Sequence, residues 1–345
     1  MIHKYKLGGF NIVLDVNSGG VHVVDDLTYD MLDNIEPPFS EECPEDVVKK
    51  LSRFYSPEDI KTCYTEVTEL YNDKILFSED DYEKYADYSV MSPVKAMCLL
   101  ISQDCNLRCE YCFAETGDFG MGRKLMTFET GKKAIDFLLK MSANRENLEL
   151  DFFGGEPLMN FGVVKQVVEY ARSKEKEYNK KFRFTITTNG MLLDDDKIDF
   201  INREMSNVVL SVDGRKEVND RVRKRVDGTG CYDRIMPKFR NLVEKRGDKE
   251  YYVRGTFTKY NLDFSEDVFD LYHQGFDQIS VEPVVSDSKE KYAITEKEIP
   301  EIFSEYERLA ERILESRKND EKFNFFHFML DLDQGPCAIK RLRGC

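Results

Sequence analysis

Three absences in this 345-residue sequence each remove a class of protein. The first 30 residues hold no basic segment followed by an apolar stretch of roughly 7–15 residues, so no secretory signal is visible. No apolar run approaches the ~20 residues that a membrane helix needs. There is also no surplus of positive charge. The net charge is −15, and residues 1–90 alone carry 20 acidic and 8 basic side chains, a balance of −12. Such a surface repels phosphate backbones, which argues against nucleic acid, and it fits a basic or neutral polypeptide. What remains is a chain 41% hydrophobic and 33% charged, ordinary for a soluble enzyme and long enough for two or more domains. Its nine cysteines are odd in number. Without an export signal they point to the reducing cytoplasm and to metal rather than disulfides.

The first 85 residues read as one domain. Phe10-Asn-Ile-Val-Leu-Asp-Val16 and Val21-His-Val-Val24 flank the turn Asn17-Ser-Gly-Gly20, a hairpin pattern. A short helix is expected from Leu27 to about Ile35, ended by Pro37-Pro38, and another from Pro44-Glu-Asp46. Ser56-Pro-Glu-Asp59 supplies an N-cap, a first-turn proline and two carboxylates for a long helix to Tyr71. Lys74-Ile-Leu-Phe77 reads as a closing strand. Together these describe a winged helix-turn-helix-like domain. Its usual partner is DNA, which the acidic balance disfavours, but an exposed strand edge can instead take a peptide as an added strand. Cys43 and Cys63 stand alone here and read as structural; residues 79–93 are polar and read as a linker.

Beyond residue 93 the pattern alternates. Strands are expected at Met97–Ser102, Leu148–Phe153, Phe182–Thr187, Asn207–Val212, Tyr251–Phe257 and Gln278–Glu282. Helices are expected at Phe128–Met141, Val163–Glu177, Asp195–Glu204, Tyr232–Lys245, Ser265–Tyr272 and Glu298–Arg317. Six strand–helix repeats imply an α/β fold with a parallel sheet and outer helices, short of the eight of a closed barrel. Chemistry in such folds sits at the carboxyl ends of the strands.

Several motifs fall at those ends. Cys105-Asn-Leu-Arg-Cys109-Glu-Tyr-Cys112 follows the first strand with C-x3-C-x2-C spacing. Three thiolates make a poor closed zinc site but suit an iron–sulfur cube with one iron left for another ligand. Phe153-Gly-Gly-Glu-Pro157 follows the second strand; its glycines allow close backbone approach and its carboxylate can meet an ammonium group. Thr187-Thr-Asn189-Gly190 follows the third, where Asn-Gly is also a turn signal in itself. Leu210-Ser-Val-Asp-Gly214 ends the fourth, with Ser211 and Asp213 on one face by alternation. The arginines between Arg221 and Arg225 could counter a carboxylate without one being preferred, and Arg254 and Glu282 are further candidates.

These motifs resemble those of the radical S-adenosylmethionine (SAM) enzymes. The resemblance implies a partial (β/α)6 barrel over residues 86–330. It implies a [4Fe-4S] cluster on Cys105, Cys109 and Cys112, whose free iron is chelated by SAM. It places the backbone of Tyr111 against adenine, and Gly154, Gly155 and Glu156 at SAM's amino group. Ser211 and Asp213 would lie near the ribose and carboxylate, and Asn189 joins the cofactor-binding set. The tail Gly335-Pro-Cys337-Ala-Ile-Lys-Arg-Leu-Arg-Gly-Cys345 resembles the opening of a SPASM domain, which carries auxiliary [4Fe-4S] clusters. Cys337 and Cys345 would be ligands there, and residues 331–345 would be the start of a domain that the chain as given truncates. The acidic winged domain resembles a leader-peptide recognition element.

With the opening Leu7-Gly-Gly-Phe-Asn-Ile-Val-Leu-Asp-Val-Asn-Ser-Gly-Gly-Val-His-Val-Val-Asp25, the whole looks like the SCIFF peptide maturases. That resemblance implies thioether cross-links from cysteine sulfur to an α-carbon in a small cysteine-rich precursor peptide with a leader. It also implies an electron donor such as flavodoxin or ferredoxin, and no nucleic-acid or membrane partner. Two other readings stand beside it. One is an anaerobic sulfatase maturase forming formylglycine, for which Asp331 or Asp333 could be the base. The other is a non-enzymatic peptide-binding regulator with a degenerate core.

Overall fold

A computed structural model describes residues 1–80 and 93–329, which fall into two compact units. The expected boundary near residue 85, and the tail with Asp331, Asp333, Cys337 and Cys345, lie outside the described residues.

In the first unit, β1 (Ile2–Leu7) pairs antiparallel with β2 (Phe10–Asp15), which pairs antiparallel with β3 (Val21–Val24). The β2–β3 hairpin is the one expected. β1 is an addition; its Ile-His-Lys-Tyr-Lys-Leu buries no residue fully, so it lacks the alternation that marks a half-buried strand. Three helices follow: α1 (Asp26–Met31), α2 (Glu45–Leu51) and α3 (Pro57–Asn72). Asp25 caps α1 and Ser56 caps α3 through their side-chain oxygens. Val13, Met31, Ile60, Tyr64 and Val67 meet in a small core.

The strand expected at Lys74–Phe77 does not form. Lys74 (φ 61°) and Phe77 (φ 53°) are left-handed, a geometry no strand admits. Asp15 explains the turn. Its carboxylate is buried and accepts from the backbone N–H groups of Asn17 (2.9 Å), Ser18 (2.9 Å) and Ser78 (2.9 Å), and from the Ser78 hydroxyl (2.5 Å). One side chain thus closes the hairpin turn and pins the segment after α3. Burial opposes its charge, but the bonds from Ser78, Ser18 and Asn17 outweigh burial and hold the carboxyl below its usual 3.8.

Asp15→Ala should therefore loosen the 74–78 segment and cost about 2 kcal/mol near neutral pH, the scale of a charge-assisted bonding set. Hydrogen exchange at the Ser78 amide checks it. Because the folded-state value is depressed, the wild-type advantage is full above about pH 4 and is lost as pH falls below it. Unchanged protection at neutral pH would refute the role.

The second unit contains β4 (Ala96–Gln103), β5 (Leu107–Cys109), β6 (Lys124–Leu125), α4 (Phe128–Met141), β7 (Asn147–Gly154), α5 (Phe161–Tyr178) and β8 (Lys181–Thr188). It continues with α6 (Asp195–Glu204), β9 (Met205–Ser211), α7 (Lys216–Val222), β10 (Arg223–Arg225), α8 (Tyr232–Arg246) and β11 (Tyr252–Phe257). It ends with α9 (Phe264–His273), β12 (Gln278–Pro283), α10 (Ile299–Lys318) and β13 (Asn324–Phe325). The six expected strands and six expected helices are all present. One sheet runs β13-β12-β11-β9-β8-β7-β4-β6, parallel except for the short β6 edge.

Among the parallel strands, order follows chain order without reversal. With right-handed crossovers, that puts every connecting helix on one face. Leu148, Leu150 and Phe152 of β7, and Phe182, Phe184 and Ile186 of β8, form the core on that face. Their alternates Phe153 and Thr187 look into the opposite, open face. This explains why the strands alternate instead of reading as the continuous apolar runs of a sheet covered on both sides.

Candidate active site

A cavity of about 330 Å³ opens where the core strands end. The thiols of Cys105, Cys109 and Cys112 line it, with Tyr111, Gly154, Gly155, Asn189 and Ser211. The structure adds residues not assigned from sequence: Thr187 and Thr256 from strand ends, and Phe153, Phe113 and Val284 as apolar wall. Thr187 was legible by alternation, on the β8 face opposite Phe184 and Ile186. Arg254 and Glu282 also line the cavity and pair at 3.0 Å.

The cysteine loop is ordered by its own neighbours. Asp104 accepts from the Cys105 N–H (2.8 Å) and pairs with Arg123 (3.0 Å). Arg108 donates to the carbonyls of Cys105 and Leu107, both at 2.6 Å. β5 pairs antiparallel with β10, setting Cys109 opposite Arg223. The loop is then locked to the end of β7: Gly155 N–H donates to Ser102 O (2.8 Å) and Glu156 N–H to Asp104 O (2.9 Å). A Cβ on Gly154 would stand 2.2 Å from Ser102 O, and one on Gly155 2.3 Å from Asp104 O. The two glycines therefore serve the approach of one backbone to another as well as the cavity.

Two expected cavity residues sit behind its wall. Glu156 is fully buried and does not line the cavity. It accepts from Leu158 N–H (2.9 Å), Thr188 Oγ1 (2.9 Å) and Asn189 N–H (2.7 Å). Its visible work is to tie the end of β7 to the end of β8. Asp213 is likewise fully buried. It accepts from the Tyr111 hydroxyl (2.7 and 2.8 Å) and the Thr256 N–H (3.0 Å), and lies 3.0 Å from Arg223 Nε, an ion pair without hydrogen-bond alignment. Neither burial was legible, because periodicity gives a side chain's face but not what covers it.

Asp213 also resolves the arginine run. Arg221 stacks 3.5 Å over Tyr260, and Arg225 pairs with Asp227 at 2.9 Å. Arg223 alone of the three lines the cavity, and among the described residues its terminal nitrogens bond no protein group by hydrogen bonds. Burial opposes its charge, but Asp213 overrides that and keeps it cationic.

The thiols fit a cluster better than a single ion. No three His, Cys, Asp or Glu side chains among the described residues converge on one metal ion, yet three thiols line one cavity. Burial pushes the Cys105 thiol to about 11 and that of Cys109 to about 12, so ligation rather than solvent must deprotonate them.

Residues 99–267 match the family model of the Radical SAM superfamily. That segment is a radical SAM domain by its match. It is 26% identical over 191 residues to the radical SAM cyclopropyl synthase TigE of Paramaledivibacter caminithermalis, covering 52% of this chain and 37% of that protein. It is 29% identical over 156 residues to a cysteine-type anaerobic sulfatase-maturating enzyme of Clostridium novyi, covering 43% of this chain and 41% of that one. The match thus spans less than half the length of either relative. In fold it resembles anSMEcpe with bound AdoMet, with TM-score 0.60 and 20% identity over 68% of this chain and 64% of that one. The superfamily uses a [4Fe-4S] cluster and SAM. Among the described residues, no helix is long and apolar enough to cross a membrane.

Glu156 generates a pH prediction. Burial raises its carboxyl to about 7 despite the bonds from Asn189, Leu158 and Thr188. The folded state then holds this proton more tightly than the unfolded state, so stability falls as pH rises from about 4.5 through about 7. Melting temperatures of the cluster-free protein between pH 5.5 and 8 (roughly the span of that titration) should show this slope. Glu156→Gln should lower the curve and remove that component. An equal slope in both proteins would refute it.

Proposed function

We propose that this radical SAM enzyme forms thioether cross-links, cysteine sulfur to α-carbon, in a small cysteine-rich precursor peptide. The observation that carries the proposal is one cavity holding three thiols, a cation at Arg223 and the Arg254–Glu282 pair. The acidic first unit, with its three-stranded sheet, supports a polypeptide partner, and its proposed role is to hold the leader. A relative named for sulfatase maturation supports a polypeptide substrate as well.

Cys105, Cys109 and Cys112 would hold the cluster. When bound, cluster and SAM supply the hydrogen-abstracting 5′-deoxyadenosyl radical of the superfamily. The chain's residues do the rest. The Gly154–Gly155 edge leaves room for SAM's amino end beside the thiols. Ser211 and Arg223 offer a hydroxyl and a cation to its carboxylate, Arg223 held in place by Asp213. Phe153 and Val284 give the reacting space an apolar wall against water. Arg254 and Glu282, donor and acceptor on adjacent strands, are set to meet a peptide group. A flavodoxin or ferredoxin would supply the electron, and Cys337 and Cys345 would begin the ligand set for auxiliary clusters.

The second reading is formylglycine formation, favoured by the sequence likeness to the sulfatase-maturating enzyme. Anaerobic reconstitution of the natural full-length protein with SAM, reductant and the cysteine-rich peptide encoded beside it separates the two. The expected outcome is a peptide lighter by a pair of hydrogens per bridge, with cysteine joined to an α-carbon by tandem mass spectrometry. Formylglycine in place of a bridge would favour the second reading. Cys105→Ala, Cys109→Ala and Cys112→Ala should each abolish SAM cleavage, and retained cleavage would overturn the cluster assignment.

A further inference from the structure

Asn189 makes contacts that cofactor binding does not call for. Its side chain is oriented by two fixed partners: Oδ1 accepts from Met191 N–H (3.0 Å), and Nδ2 donates to Asn106 Oδ1 (2.9 Å). Those contacts settle which end is the amide nitrogen. The second Nδ2 hydrogen then falls on Cys105 Sγ at 3.5 Å, inside the range for a sulfur acceptor. The residue is 7% exposed, and its two side-chain partners hold the amide against the cysteine loop.

The contact is one-sided. Cys105 Sγ also receives the Leu107 N–H at 3.4 Å, whereas no donor among the described residues reaches the sulfur of Cys109 or Cys112. Hydrogen bonds to ligand sulfurs are among the chief determinants of an iron–sulfur potential, because they stabilise the more negative, reduced state.

We propose that Asn189 is a positioning residue for the cluster, donating an N–H···S bond to Cys105 that raises the reduction potential and marks out the Cys105 corner. It acts through Cys105, and its amide is committed to Cys105 and Asn106 rather than to SAM. The inference rests on the cluster binding at the three cysteines.

The test is an EPR-monitored redox titration of the reconstituted full-length protein without SAM, in wild type, Asn189→Leu and Asn189→Asp. The Leu variant removes the donor without adding charge; the Asp variant removes it and keeps an acceptor for Met191. The Leu variant's cluster should be roughly tenfold harder to reduce, a downward shift of about 59 mV for one electron, and the Asp variant's at least as much because its carboxylate adds negative charge. An unmoved midpoint in cluster-loaded variants overturns the inference. A merely structural role would lower cluster content without moving the midpoint.

Should either variant fail to fold, wild type grown with 15N-asparagine decides. Pulsed EPR of the reduced cluster should show a nitrogen coupling that changes with the isotope, and an unchanged spectrum overturns the inference. Wild type that takes up no cluster would instead defeat the ligand assignment, a separate outcome.

Discussion

The approach of the β7 end to the cysteine loop is the constraint on which the site depends. Two backbone bonds, Gly155 to Ser102 and Glu156 to Asp104, bring the chains so close that no Cβ fits at either glycine. That contact fixes where Cys105 begins. It also delivers Glu156 to a position where one carboxylate joins the ends of β7 and β8 through Leu158, Thr188 and Asn189. The third strand's motif is therefore positioned by the second strand's carboxylate, and Asn189 reaches Cys105 as a result. A carboxylate so deeply buried is costly, and its raised pKa measures that cost. The rim tolerates it because its donors are backbone groups and a hydroxyl that would otherwise be buried unpaired.

Asp213 plays the matching part on the other side. It gathers Tyr111 from the cysteine loop, Thr256 from β11 and Arg223 from β10. Removing one partner of such a buried pair typically costs about 3–5 kcal/mol, because it strands the other charge. Arg223 can then stand at the cavity as a cation whose own counter-charge, Asp213, lies behind the wall. The Cys109–Arg223 pairing of β5 with β10 sets the Arg223 backbone beside Cys109, and Asp213 then holds the guanidinium.

The core fold was legible because its signals are local. Alternation gave six strands, amphipathic periodicity gave six helices, and a chain-order sheet followed from both. The thiol triad and the motifs at the strand ends were legible for the same reason, since each lies within a few residues of a strand terminus. The hidden parts depend on distant partners. Arg223 could not be separated from Arg221 and Arg225 until β5 and β10 paired. The failed strand at Lys74–Phe77 is decided by Asp15, some sixty residues earlier in the chain. Glu156 and Asp213 carry family-like motifs, yet both lie behind the cavity wall, and no pattern in the sequence distinguishes a residue that touches a ligand from one that holds the residue that does.

That last distinction sharpens how the labour is divided. The side chains of the Gly-Gly-Glu-Pro and Ser-Val-Asp-Gly motifs split into an outward and an inward set: Gly154, Gly155 and Ser211 face the cavity, while Glu156 and Asp213 face the scaffold. Each motif thus carries its contact and its support within three residues. A change at an inward position would move several cavity residues at once. Arg254 and Glu282 differ: their pair is half-exposed and spans β11 and β12, and neither side chain bonds Glu156 or Asp213. A change in either of these side chains therefore breaks one exposed pair, whereas a change at Glu156 or Asp213 unties several strand ends at once.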